Sequence, residues 1–165
     1  MKKVKVLFIS LLVANIFWSC EKDDLCADGT PTTPGLIMEF YNIDNRTVLK
    51  PVSNFAFYVP GMQDTIKPTG SVSKIEVPLK TDVLSTQWAF RLTLPEAGGV
   101  VRNTDLITFN YITRDEFVSR ACGYKTLFTL NANTNDAADD LWIQEIYVEQ
   151  PNINDENEVH VKIYF

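Results

Sequence analysis

One histidine, His160, serves the whole 165-residue chain, and this bounds the available chemistry before any fold is considered. A zinc centre built on several histidines is excluded. A Ser-His-Asp arrangement would have to use His160, and no G-x-S-x-G turn is present to carry its serine. His160 lies two residues from Lys162 in the closing segment, where alternation predicts a solvated place on the outer face of a strand. The 21 Asp and Glu residues leave room for an acid pair of the glycosidase kind, but no spacing singles out two of them. Asn131, Asn133, Asn135 and Asp136 offer oxygens to Ca²⁺ in an N-x-N-x-N-D spacing. The leading Asp, the turn Gly and the terminal Glu of an EF-hand loop are missing, so these four are weak metal candidates in a polar loop, and no metal site is assigned. Gly98-Gly99 lacks the spacing of a phosphate-binding loop. The most distinctive internal stretch is SRACGYK, residues 119–125. There Arg120, beside Tyr124, could receive a carboxylate or phosphate, while Cys122 and Gly123 suit a stapled bend. Tyr58, Tyr147 and Tyr164 are candidates for stacking on sugar rings. No catalytic residue and no cofactor is assigned.

The three cysteines carry a second kind of chemistry. Lys2, Lys3 and Lys5 precede an apolar run, residues 6–17, broken only by Ser10 and Asn15. Twelve helical residues span ~18 Å against a hydrocarbon core of ~30 Å, so residues 1–19 read as a signal peptide rather than a permanent span. The run ends in Phe17-Trp18-Ser19 and then Cys20, resembling a relaxed bacterial lipobox of the kind found in Bacteroidota, in which the cysteine is lipidated and becomes the new N-terminus. The alternative is ordinary cleavage that leaves Cys20 as a free thiol. The charged run Glu21-Lys22-Asp23-Asp24 reads as a solvated tether. It also resembles the signal that sends lipoproteins of that phylum to the outer face of the outer membrane, and surface display is favoured over a periplasm-facing position. Lipidation of Cys20 leaves Cys26 and Cys122 as an even pair for an oxidising compartment, and a disulfide is the simplest outcome. Two separate buried thiols are the alternative.

Losing residues 1–19 removes three lysines and no acid, so the formal charge moves from −6 to −9. That balance argues against nucleic acid and against a polybasic grip on lipid. The expected contact with the membrane is the lipid on Cys20, and the expected further partner is an envelope protein or a glycan. Residues 20–34 form the lipidated cysteine and a Pro/Thr-rich tether, and residues 35–165 one domain.

Within that domain short β-branched and aromatic runs alternate apolar and polar residues, at 35–42, 54–59, 72–79, 87–94, 105–112, 126–130, 141–150 and 159–165. Turn formers divide them, and no long 3.6-residue period appears. The segment 113–125 admits a helical turn or a bent strand, and 131–140 reads as loop. The spacing predicts an all-β fold, an antiparallel β-sandwich, immunoglobulin-like or similar, of about eight strands. A small closed β-barrel is the alternative.

The stretches CEKDDLCADGTPTTP, LKPVSN, VSRACGYK and the terminal HVKIYF together resemble a family of small Flavobacteria-type lipoproteins, the domain-of-unknown-function family DUF6452. The resemblance spans nearly all of residues 20–165. It implies an envelope lipoprotein with no assigned activity, so it carries no catalytic residues onto this chain. The functional expectation is a membrane-anchored, non-enzymatic binding or structural module, with a carbohydrate-binding or carbohydrate-active accessory as the alternative.

Overall fold

A computed structural model describes the backbone of residues 25–136 and 141–165, and side chains for 25–131 and 141–165. The leader, Cys20 and the charged run after it lie outside the described residues. Alternation becomes strands where one face can be buried. In β1 (Leu36–Tyr41) the face carrying Leu36, Met38 and Phe40 is fully buried, and in β3 (Lys74–Val77) Ile75 and Val77 turn inward while Lys74 and Glu76 face water. β2 (Phe55–Tyr58) contributes Phe55 and Phe57, and β4 (Ser85–Glu96) contributes Trp88 and Phe90. β5 (Gly99–Ser119) contributes Ile107, Phe109 and Tyr111, and β6 (Gly123–Asp136) contributes Phe128 and Leu130. β7 (Glu145–Val148), β8 (Asn152–Ile153) and β9 (Val161–Tyr164) complete the order.

The strands form a four-stranded sheet, β3-β1-β9-β7, and a five-stranded sheet, β2-β4-β5-β6-β8. The fold is all-β, as expected, and neither sheet closes into a barrel. One pair departs from antiparallel order: β9 lies parallel to β1, with Met38 opposite Val161 and Tyr41 opposite Tyr164. Because the last strand inserts between β1 and β7, it is central to its sheet rather than at an edge.

Two compact units are distinguished. The larger, Pro31–Glu116 with Lys125–Phe165, holds the hydrophobic core between the two sheets. Phe40, Phe55, Phe90 and Trp142 meet there in edge, stacked and tilted contacts with centroids 5.4 to 6.2 Å apart; edge and stacked pairs add ~0.5–1.5 kcal/mol each beyond burial. Buried aromatic polar atoms are satisfied: the Trp142 indole donates to the Phe90 carbonyl at 3.0 Å and the Trp88 indole to the Pro78 carbonyl at 3.0 Å. A closed ring of hydrogen bonds pins the β3–β4 connection. The Lys80 amide donates to Thr86 Oγ1, Thr86 and Tyr111 share a hydroxyl contact of 2.6 Å, and the Tyr111 hydroxyl donates to the Lys80 carbonyl at 2.8 Å. The smaller unit contains residues 25–30 and Phe117–Tyr124.

Two local expectations change. The ambiguous 113–125 segment is strand, turn, strand: β5 runs to Ser119, residues 120–122 turn, and Gly123 at φ 73° starts β6. A three-residue hairpin loop followed by a left-handed glycine needs no Cβ at that place. Residues 131–136, expected to be loop, continue β6. The polar composition of this stretch reads as loop, but strand pairing rests on backbone groups that every residue carries, and β6 neighbours β5.

Candidate functional site

In the smaller unit the hairpin turn and the tether meet through a disulfide. Cys26 and Cys122 are bonded, with Cα atoms 4.8 Å apart at a sequence separation of 96, inside the span that a disulfide can bridge. The Cys122 amide is also held by Ser119 Oγ at 3.0 Å. Arg120 is exposed and lines a cavity of about 620 Å³ with Leu25, Ala27, Thr30 and Cys122. Tyr124 is not among the residues lining it. Its ring packs edge-on to Phe117 at 5.4 Å, and both rings are largely exposed. Arg120 thus borders the cavity, whereas Tyr124 packs on Phe117.

His160 overturns its expected place. It is 1% exposed, its backbone amide donates to the Ile37 carbonyl at 3.0 Å, and its Nδ1 accepts the Ile37 amide at 3.0 Å. Nδ1 is therefore the unprotonated nitrogen. Burial pushes the imidazole below its ordinary value; Asp155 and Glu158 oppose that shift, and Lys74 adds to it. The sequence pattern put His160 outward because Val161 and Ile163 point into the core; the N–H of Ile37 on the neighbouring β1 accounts for a buried imidazole just before β9. Tyr164 likewise is 7% exposed, with the Arg46 guanidinium 4.9 Å above its ring, and does not offer a sugar-stacking face. Tyr147 is exposed, and Tyr58 is half-buried with Arg91 over its ring at 5.2 Å.

Asn131 is exposed and, with Asn133, Asn135 and Asp136, lies in β6. The side chains of the last three lie outside the described residues, and an extended strand is not the coiled backbone of a calcium loop. Among the described residues no group of three or more His, Cys, Asp or Glu side chains is arranged to hold a metal ion.

A site that the sequence did not announce lies in the larger unit, along the open edge of β2. β2 pairs with β4 on one side only. On its other side it is met at two points by the following loop: Val52 bridges Val72, and Phe57 bridges Ile66 through two backbone hydrogen bonds of 2.9 and 3.0 Å. Between those bridges residues 53–56 and 67–71 part, leaving a cleft of about 580 Å³. Lys67, Arg91 and Arg102 line it, and no Asp or Glu does. Register explains the grouping. Thr93 lies opposite Arg102 and Ala56 opposite Arg91, so both arginines project from the same outer face as diagonal neighbours, at a Cβ separation of ~7–8 Å or somewhat less. Ser53 and Ser71 join hydroxyls across the cleft at 2.6 Å, and Asn54 takes a left-handed conformation, φ 53°. The alternation of β4 already placed Arg91 outward. Arg102 and Lys67 join it only through pairing.

The matched stretch of a family comparison runs from residue 55 to residue 165, two thirds of the chain, and takes in every strand from β2 to β9. The chain belongs to the Family of unknown function (DUF6452). The region shared with the family contains Lys67, Arg91, Arg102 and Cys122, whereas Cys26 and β1 precede it. Comparison with curated proteins and with solved structures gives no match.

Proposed function

We propose that this family member is a lipid-anchored, non-enzymatic binding module of the cell envelope, held to the outer membrane through acylated Cys20 and facing the cell surface. The observation that carries the reading is the Cys26–Cys122 disulfide. A disulfide of this kind persists in an oxidising compartment, and it leaves Cys20 as the odd cysteine directly after an apolar run. The tether is short: Cys20 and Cys26 are six residue steps apart and reach ~20 Å at most. Acylation would therefore bring the stapled hairpin turn close to the lipid headgroups, where exposed Leu25, Phe117 and Tyr124 suit an interfacial position. The non-enzymatic part is supported by how the core titratable groups are used, since His160 is committed to the Ile37 amide and Asp105 is fully buried.

Fractionation of cells expressing the full chain tests the anchor. The wild type should sediment with outer membranes and incorporate labelled palmitate. Cys20→Ala should do neither while keeping the disulfide, and a Cys20→Ala protein that stays in the membrane would sink the proposal. A second reading, an accessory that binds carbohydrate, is favoured by one observation: the polar, cation-lined cleft beside β2.

A further inference from the structure

We propose that the cleft between residues 53–56 and 67–71 is a binding site for an acidic saccharide, gripping a sulfate or carboxylate group of the sugar with Arg91, Arg102 and Lys67. This deepens the carbohydrate-binding reading and rests on it. The first argument is charge. The chain carries six more acids than bases, yet three of its cations converge on one cleft that no acid lines. Among the described residues none of the three takes part in an ion pair, whereas Arg46, Lys125 and Lys162 are each paired with a glutamate. Uncompensated like charges held together repel one another, and an oxyanion relieves that repulsion.

The second argument is geometry. Two guanidinium groups on one sheet face present planar forks suited to bidentate capture of a sulfate or carboxylate, and Lys67 adds a point charge from the opposite wall. The peptide groups of Phe57 face the loop, since both bond Ile66. Strand parity turns the N–H and C=O of Phe55 the same way, into the cleft. Asn54 is held differently: its carbonyl accepts the Thr93 amide at 3.0 Å on the β4 side. Bridges at both ends fix the width of the opening without filling it.

The third argument is size and lining. A volume of about 580 Å³ falls within the ~300–1,000 Å³ of small-molecule sites and exceeds what a bare oxyanion occupies, so it admits the group together with the ring that carries it. Ser53, Ser71 and Thr93 supply hydroxyls and Asn54 an amide for sugar hydroxyls. The Tyr58 ring, stacked beneath Arg91, stiffens the guanidinium in a cation–π contact and limits the entropy lost on binding.

Isothermal titration calorimetry at low salt with a sulfated disaccharide, its unsulfated counterpart and inorganic sulfate tests this. The sulfated sugar should bind, the unsulfated one at least 10-fold more weakly, and inorganic sulfate more weakly than the sulfated sugar. Arg91→Gln and Arg102→Gln should each weaken binding at least 10-fold, Arg91→Lys less so, and affinity should fall with rising salt. Lys162→Gln, which removes a cation already paired with Glu149 at 2.9 Å, should leave binding unchanged. Thermal unfolding of each variant controls for folding. Equal binding of inorganic sulfate and sulfated sugar would overturn the saccharide assignment; absence of binding, or binding indifferent to both arginine substitutions, would overturn the site. Neither outcome bears on the anchor, which is read by fractionation.

Discussion

Buried His160 should make the stability of the larger unit fall in mild acid, and the size of the fall can be bounded. In the folded protein its Nδ1 accepts the Ile37 amide at 3.0 Å and burial holds its pKa below the ordinary value of 6.5. The unfolded chain therefore binds a proton over a range of pH in which the native state does not. Stability rises with pH through that window, is complete above ~6.5, and is lost as the pH falls from there towards the folded value. A single proton limits the slope to ~1.4 kcal/mol per pH unit, and one unit below the unfolded value the loss is at most ~1.4 kcal/mol. For a domain of this size that corresponds to a drop in Tm of ~3–6 °C. Protonation would put a hydrogen on Nδ1 and leave the Ile37 N–H without an acceptor, a cost of ~1–3 kcal/mol that opposes charging in the fold.

The informative variant is His160→Asn, whose amide oxygen falls near the position of Nδ1 and can accept the same N–H without titrating. Above pH ~6.5 it should cost ~1–3 kcal/mol relative to wild type through lost ring packing. The assay is urea unfolding of wild type and variant at intervals from pH 5 to 8. The difference between them should shrink as pH drops, since only the wild type pays for His160. Asp105 and the surface acids titrate in both proteins and cancel. A wild type and variant whose midpoints run parallel across that range would refute the buried, neutral imidazole.

Further outcomes follow from other groups. Asp105 is fully buried; its Oδ2 accepts the Ile143 amide at 2.7 Å, and Oδ1 has no hydrogen-bond partner among the described residues. Burial pushes its carboxyl above the ordinary value, opposed by the backbone amides of Ile143 and Trp142. Its contribution is thus complete below the unfolded pKa and declines as pH rises through the folded one, so Asp105→Asn should compare more favourably with wild type at pH 7.5 than at pH 4.5, measured by denaturant midpoints. The opposite trend would contradict the raised pKa. Replacing Cys26 and Cys122 together with alanine opens a loop of 96 residues, which the chain-entropy account values at up to ~4.7 kcal/mol and experience at ~2–5. A denaturant midpoint unchanged from the oxidised wild type would show that the staple does not constrain the unfolded chain.

Period-two alternation was sufficient to assign the all-β class and the inward faces. Leu36, Met38 and Phe40, Ile75 and Val77, and Ile107, Phe109 and Tyr111 are buried as their spacing requires, because a strand has only two faces and one must leave water. Cysteine parity likewise indicated the Cys26–Cys122 bond. What alternation cannot carry is partnership. Whether a polar residue on the nominally outer side meets solvent depends on what a distant segment lays over it. His160 is buried because β9 inserts beside β1, and Tyr164 because it lies in that same central strand. The polar run 131–136 belongs to β6, a neighbour of β5, although its composition reads as loop. The cleft is the plainest case. Arg91 and Arg102 stand eleven residues apart and become neighbours only through the β4–β5 register, and Lys67 reaches them only because the loop touches the edge of β2 at two points and parts between them. Sequence spacing fixes which way a side chain points; long-range pairing decides what it faces.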